Sequence, residues 1–200
     1  MNKRVNVLGV GISVTNMKDT LASIQRWVSN NEKKYICVSA VHSIMEAYKD
    51  KHLQQIHNQS GLTVPDGRPL YWLGRMGGYS QMGPVPGEQL SLEVCEMAAR
   101  EGLTLFLYGG ADEVVAQELT ESLIQKYPKL RIVGTYTPPF RPLNAAEESA
   151  LISQVEEAKP DIFWVGLGSP KQELFMGEYL PKLNTKVMIG LGAVFDYHTG

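Results

Sequence analysis

The stretch 161–173, DIFWVGLGSPKQE, places polar side chains directly after a short apolar run and a glycine turn. The run IFWV is typical of a buried parallel strand, and Ser169 and Pro170 stand where the N-cap and first turn of a helix are expected. Backbone N–H groups at such a helix start favour an anionic ligand such as a phosphate. The alternative is an ordinary turn whose glycines only let helix and strand approach. The candidate ligand-binding residues here are Gly168, Lys171 and Gln172.

A second candidate, Asp66, follows a short predicted strand at 62–64 and lies between Pro65 and Gly67. Proline fixes one backbone angle and glycine permits a positive one, so this turn holds Asp66 on a rigid corner. A carboxylate held in this way can act as a general base when a substrate hydroxyl comes within hydrogen-bond reach. An Asp-Gly pair is otherwise only a turn.

Five further residues stand where predicted strands pass into helices or turns. Ser39 and His42 follow the strand at 35–39, although a structural role would also explain His42. Gly109 and Gly110 precede a predicted helix, where glycine lets the backbone approach a diphosphate. Arg68 is able to pair with phosphate, and a solvated surface position is its alternative.

Several functional classes are disfavoured. No GxGxxG, GK[ST], HExxH or GxSxG motif occurs, so dinucleotide binding is disfavoured and no cofactor is expected. The histidines show no metal-ligand spacing, and we therefore predict no metal site. A net charge of −2 argues against a general nucleic-acid binder. Cys37 and Cys95 are expected to be reduced, buried thiols of a cytosolic protein.

Strands alternating with helices along the chain predict an α/β fold, with a mostly parallel sheet and helices on both faces. We expect residues 1–200 to form a single domain, with 4–10 as its first strand and the glycine-rich segment 77–88 as a surface loop over a cleft. The carboxyl ends of parallel strands share one edge, so the candidate residues should meet there.

Five segments in order carry a resemblance to a known family: VPDG at 64–67, YGG at 108–110, YPKLRIVGTYTPPF at 127–140, VGLGSPKQE at 165–173 and GLGAVFD at 190–196. They resemble the WecG/TagA/CpsF family of bacterial glycosyltransferases. The resemblance implies a Rossmann-like, inverting, metal-independent enzyme that moves a sugar, typically N-acetylmannosamine, from a UDP-sugar to a polyprenyl-diphosphate-linked sugar. It also implies a role in the synthesis of teichoic acid or another cell-surface polysaccharide at the cytoplasmic face of the membrane.

The resemblance also implies roles for particular residues. Asp66 matches the general base and Ser39 matches a threonine near the donor, which makes both of them catalytic candidates. Lys171 and Gln172 fall in the donor-binding PKQE motif, and Asp196 falls in the last motif of the nucleotide pocket.

Three features depart from the family pattern. Ala40 stands where asparagine or glycine is usual, and PVPGEQL at 84–90 replaces an RVxGxDL-like segment and lacks its arginine. The third is a basic C-terminal appendage that contacts the membrane, which we expect residues 1–200 to lack.

The alternatives to a glycosyltransferase are a UDP-sugar-binding module that has lost catalysis, and a UDP-sugar hydrolase or epimerase using Asp66. The sequence does not fix the oligomeric state, and a homo-oligomer is one candidate.

Overall fold

The structure is a computed structural model that describes residues 3–192. A six-stranded, fully parallel β-sheet forms its centre. The strands are β1 (Arg4–Val7), β2 (Val10–Ser13), β3 (Lys34–Ser39), β4 (Leu62–Pro65), β5 (Thr104–Gly109), β6 (Arg131–Tyr136), β7 (Ile162–Gly166) and β8 (Val187–Gly190). The helices are α1 (Met17–Ser29), α2 (Val41–Lys49), α3 (Lys51–Gln59), α4 (Arg68–Met76), α5 (Gly87–Glu101), α6 (Glu113–Lys126), α7 (Ala145–Ala158) and α8 (Lys171–Tyr179). The strand order of the main sheet is β4-β3-β8-β7-β5-β6.

Helices cover both faces of this sheet, which confirms the predicted α/β architecture. Successive side chains of β3 point alternately into two hydrophobic clusters, one on each face of the sheet. Ile36 and Val38 face a cluster built with α1, α5 and α6, whereas Tyr35 and Cys37 face a cluster built with α3, α7 and α8. Both faces of the strand are therefore buried, as its nearly continuous apolar sequence indicates.

Local signals in the sequence set the ends of several helices. The side chain of Asn16 caps α1 by accepting from the Asp19 backbone N–H at 3.0 Å. Asn144 and Glu147 form a reciprocal capping box at the start of α7. Gly102 ends α5 with a left-handed φ of 71°, a conformation that glycine adopts without strain.

The predicted first strand at 4–10 is wrong, because the chain reverses within it. Leu8 and Gly9 both have positive φ, 54° and 90°, and β1 and β2 pair antiparallel in a separate two-stranded sheet. A run of alternating residues with one internal glycine fits either a single strand or a tight hairpin. The hairpin packs beside β4, where the Thr63 N–H donates to Ser13 Oγ at 3.0 Å.

The segment expected as a surface loop, 77–88, is partly core. Met82 and Val85 are fully buried. The Gly83 N–H donates to the Thr15 carbonyl at 3.0 Å, and the Val85 N–H donates to the Pro65 carbonyl at 2.8 Å. Burial of the apolar side chains outweighs the turn-forming effect of the glycines and prolines, so the segment is tied to the end of β4.

Candidate active site

One cleft of about 440 Å³ lies at the carboxyl ends of the six parallel strands. The loop after each strand contributes to its lining. Representative residues are Ala40 after β3, Asp66 after β4, Gly110 after β5, Phe140 after β6, Gly168 after β7 and Gly192 after β8. Ligands of open α/β sheets bind at this edge, so the cleft is the candidate active site.

Asp66 is a fixed, partly buried carboxylate of the cleft. Its backbone N–H donates to the Ser39 carbonyl at 2.9 Å, and Gly67, with φ of 87°, turns the chain directly into α4. Burial raises the pKa of Asp66 above its ordinary value, although a hydrogen bond from the Gly87 backbone and the nearby His42 act in the opposite direction. A raised pKa makes the carboxylate a better proton acceptor near neutral pH.

The helix starts around the cleft differ from those elsewhere in residues 3–192. Helices α2, α4, α5 and α8 begin without a side-chain cap, and Ala40, Gly87 and Ser169 at three of these starts line the cleft. The other four helices are capped by Asn16, Asp50, Asp112 and Asn144. Such first turns carry partial positive charge, which suits an anionic ligand in the cleft. The Gly87 N–H of α5 and the Gln172 N–H of α8 already have acceptors, which are Asp66 and the Gly168 carbonyl.

The start of α8 differs in detail from the prediction. Pro170, not Ser169, occupies the N-cap position, and the helix begins at Lys171. Ser169 Oγ is buried and has no hydrogen-bond partner within residues 3–192. The helix ends at Tyr179, and residues 180–182 continue as turns.

Gln172 joins the two loops that form one side of the cleft. Its side-chain Oε1 accepts from the Gly192 N–H at 3.0 Å, and its own backbone N–H donates to the Gly168 carbonyl at 2.9 Å. Its Nε2 lies 3.4 Å from Oε1 of the fully buried Glu173, whose pKa is raised by that burial. Gln172 therefore holds the loops after β7 and β8 in fixed positions.

The cleft brings together several residues that were selected from the sequence. Those that line it are Asp66, His42, Gly110, Gly168 and Gln172. Arg68 and Lys171 are exposed at the first positions of α4 and α8 and are not part of the cleft lining. Asp196 lies outside the described residues.

Ser39 is fully buried and faces α3 instead of the cleft. Its Oγ lies 3.5 Å from Nδ1 of His57, and burial together with Arg4 lowers the pKa of His57 to about 4, so that ring is neutral at pH 7. Ser39 reaches the site through its backbone carbonyl, which holds Asp66. Its geometry is that of a positioning residue.

Gly109 also lies beneath the cleft surface. It pairs with Gly166 across β5 and β7, its φ is 149°, and a Cβ there would stand 2.6 Å from the Gly166 carbonyl oxygen. Close approach of two strands explains this glycine without any ligand contact.

Sequence reasoning missed several residues of the lining, among them Ser43, Gly87 and Phe140. Gly87 belongs to the segment that departs from the family pattern, and Ser43 follows His42 by one residue. Phe140 carried the clearest signal, because a phenylalanine framed by prolines in a polar loop has no predicted core to enter.

Two features are absent from the described residues, 3–192. No group of three or more His, Cys, Asp or Glu side chains is arranged to hold a metal ion. No helix has the length and apolar character needed to cross a bilayer.

Comparison with known proteins matches the chain to a family and to a relative of named activity. The model of the family described as "Glycosyl transferase WecG/TagA/CpsF family" matches residues 5–200. A Bacillus subtilis (strain 168) protein named N-acetylglucosaminyldiphosphoundecaprenol N-acetyl-beta-D-mannosaminyltransferase is 27% identical over 154 residues. The match covers 77% of this chain and 58% of the relative, so the chain spans less than two thirds of that protein's length.

Proposed function

The chain belongs to the WecG/TagA/CpsF family of glycosyl transferases, and from this membership we propose that it transfers N-acetylmannosamine from a UDP-sugar to a lipid-diphosphate-linked N-acetylglucosamine. The name of the Bacillus subtilis relative supports the sugar and the acceptor. The UDP part of the donor follows from the family resemblance of the glycine and PKQE segments. The product would enter teichoic acid or another cell-surface polysaccharide.

The observation that carries the proposal is the placement of Asp66 in the same cleft as uncapped helix starts. In the proposed step Asp66 accepts the proton of the acceptor hydroxyl while that oxygen bonds to the anomeric carbon of the donor sugar. The bond from this carbon to the diphosphate breaks, and its electron pair leaves with UDP. Attack opposite the leaving group inverts the configuration.

Charge on the departing diphosphate is to be stabilised by backbone N–H groups. The first turns of α2, α5 and α8 supply partial positive charge together with those N–H groups that have no acceptor in the protein, and the glycines of the cleft, Gly110 and Gly168, allow a ligand to approach the main chain. Fixed dipoles of this kind need no reorganisation during the reaction, so we propose a metal-independent mechanism. We place the reaction at the inner face of the cytoplasmic membrane, where a polyprenyl-linked acceptor is anchored.

The direct test is a transfer assay with UDP-N-acetylmannosamine and a synthetic lipid-diphosphate-N-acetylglucosamine, each reaction run with and without EDTA. We expect a disaccharide-linked lipid product whose formation survives chelation. UDP binding without any product would favour a binding module, and free sugar or an epimer formed without acceptor would favour a hydrolase or epimerase. Loss of transfer in EDTA, restored by added Mg²⁺, would contradict the metal-independent mechanism.

A further inference from the structure

Glu173 is a buried carboxyl group that the proposed reaction does not use. It lies in the first turn of α8, next to the cleft-lining Gln172, and its side chain is fully buried. Within residues 3–192, its Oε2 atom has no hydrogen-bond partner. Burying a carboxyl group with an unsatisfied oxygen costs folding free energy, so the presence of Glu173 calls for an explanation other than stability.

The surroundings of Glu173 do not compensate for this cost. Burial raises the pKa of Glu173, and its own backbone N–H, together with the side chains of Ser169 and Gln172, opposes this only in part. Cys37 on β3 is a titratable neighbour. Burial and, after it, the Glu173 carboxyl raise the pKa of Cys37 well above its ordinary value, so this thiol is neutral and supplies no positive charge.

The hydrogen bond of the Glu173 side chain goes to Gln172, whose Nε2 donates to Glu173 Oε1 at 3.4 Å. The two ends of a glutamine amide are similar in size, so packing alone permits two orientations. A carboxyl oxygen accepts a hydrogen bond and therefore selects the orientation in which Nε2 points to Glu173. In that orientation Gln172 Oε1 accepts from the Gly192 N–H at 3.0 Å.

The Gln172 amide is packed between the loops after β7 and β8. A Cβ at Gly190 would stand 3.0 Å from Gln172 Nε2, and one at Gly192 would stand 2.9 Å from Gln172 Oε1. The same Cβ at Gly192 would stand 2.8 Å from the Gly168 backbone nitrogen, so the two loops lie in close contact. In the opposite orientation, the amide NH₂ would face the Gly192 N–H, and two donors without an acceptor would drive the loops apart.

We propose that Glu173 is a positioning residue, which orients the Gln172 amide and so fixes the loops after β7 and β8 in the arrangement that binds the donor diphosphate. This inference rests on the proposed function, because Gly168 and Gly192 of these loops line the proposed donor site. Glu173 is not part of the cleft lining and acts through Gln172. The role requires an acceptor oxygen and does not require a charge.

The first measurement needs no ligand. Glu173→Gln keeps an acceptor for Gln172 Nε2, and its new amide nitrogen replaces an oxygen that has no partner within residues 3–192, whereas Glu173→Leu removes the acceptor. Hydrogen exchange of the Gly192 amide is followed by NMR. It should be roughly 5- to 150-fold faster in Glu173→Leu, the range expected when one buried donor loses its acceptor, and unchanged in Glu173→Gln.

The second measurement asks whether the donor uses these loops. UDP is titrated calorimetrically at a temperature well below the thermal melt of every variant, so that a loss of stability alone leaves the measured affinity unchanged. We expect Glu173→Leu to weaken UDP binding about 5-fold or more, and Glu173→Gln to bind UDP like the wild type.

Thr185→Val is the matched control. Thr185 is 2% exposed, its Oγ1 atom is buried without a partner within residues 3–192, and it precedes β8 at the end of the sheet opposite the cleft. The substitution removes a buried, unpartnered oxygen away from the cleft. Gly192 exchange and UDP affinity should therefore both stay at their wild-type values.

Three results would overturn the inference alone. Wild-type exchange at Gly192 in Glu173→Leu would exclude the orienting role, and faster exchange with wild-type UDP affinity would exclude its link to the donor. Equal impairment of Glu173→Gln and Glu173→Leu would show that the acceptor oxygen is not what matters. If the wild type does not bind UDP, the proposed donor is wrong, and the exchange at Gly192 then decides the inference by itself.

Discussion

Replacing Asp66 with asparagine removes a carboxylate while keeping nearly the same size and shape. If Asp66 is the general base, the rate of sugar transfer should fall by about 10²- to 10⁴-fold, the range typical of such catalysis. That loss corresponds to about 2.7–5.5 kcal/mol of transition-state stabilisation. The measurement is the initial rate at saturating donor and acceptor. It is repeated across pH to find the acidic limb of the pH–rate profile, where Asp66 becomes protonated and the rate falls.

The same substitution should not destabilise the fold. Burial raises the pKa of Asp66, so the folded protein binds this proton more tightly than the unfolded chain does. The stability that the group contributes is present below its unfolded pKa and is lost as pH rises through its folded pKa. At pH 7 the ionised side chain therefore disfavours folding, and Asp66→Asn should be as stable as the wild type or more stable in urea unfolding.

Asp161→Asn is the matched control, since Asp161 lies at the opposite end of the sheet, just before β7. Its carboxylate accepts from the Thr104 N–H at 2.9 Å, from Thr104 Oγ1 at 3.0 Å and from Lys186 Nζ at 2.7 Å. Burial opposes ionisation here, but these bonds prevail and lower the pKa of Asp161. The stability that it contributes is therefore present above its unfolded pKa and lost as pH falls through its folded pKa.

The two variants should separate activity from stability. Asp161→Asn should lose about 1–3 kcal/mol of unfolding free energy at pH 7 and keep its transfer rate per folded molecule. Asp66→Asn should lose transfer activity and keep or increase its unfolding free energy. Unchanged transfer in Asp66→Asn would remove Asp66 from the role of base, and a stability loss equal to that of Asp161→Asn would identify it as a structural turn residue.

Substitutions of Gly109 and Gln172, each with a comparison variant, test the residues that shape the cleft. Gly109→Ala should cost about 2–5 kcal/mol, or about 5–15 °C in Tm, because its Cβ would meet the Gly166 carbonyl oxygen at 2.6 Å. Gly102→Ala, with φ of 71° and no heavy atom within 4 Å of the added Cβ, should cost only about 1 kcal/mol; equal melting points would show that the strand contact relaxes freely. Gln172→Ala should weaken UDP binding and lose about 1–3 kcal/mol of stability, because the Gly192 N–H loses its acceptor. Gln172→Glu keeps an acceptor oxygen but replaces the Nε2 donor, 3.4 Å from Oε1 of the buried Glu173, by a second carboxylate oxygen, so it should be impaired at least as much as Gln172→Ala; wild-type UDP binding and stability in both variants would contradict this role.

The main elements could be predicted because their signals are local. Helix α1 begins at Met17 and ends at Ser29, where its apolar spacing and the adjacent Asn16 cap indicate. The hairpin of β1 and β2 could not be separated from one strand, because leucine rarely adopts a positive φ and the turn depends on contacts distant in the sequence. These are the bond of 3.0 Å from Gln54 Nε2 to the Leu8 carbonyl and the packing of β2 beside β4.

The candidate site could be located but not fully resolved from the sequence. Ends of parallel strands share an edge, so Asp66 and Gln172 were expected at one cleft. Period-two alternation shows that Ser39 and Val38 face opposite sides of β3, but only the completed sheet decides that Val38 lines the cleft and Ser39 faces His57. Phe140 lay outside any periodic pattern, and its position depends on hydrogen bonds to β5 and α7 from the loop that carries it.

The position of β8 has a consequence for the order in which the molecule is assembled. β8 is the last strand of the described chain, but it lies in the middle of the sheet, between β3 and β7. During synthesis, the strands made earlier have no partner at this seam until residues 187–190 leave the ribosome. The two sheet parts, β4-β3 and β7-β5-β6, therefore keep open, apolar inner edges until β8 is made, a condition that favours aggregation or chaperone binding. The cleft is built across this seam, so the binding site forms only when β8 inserts.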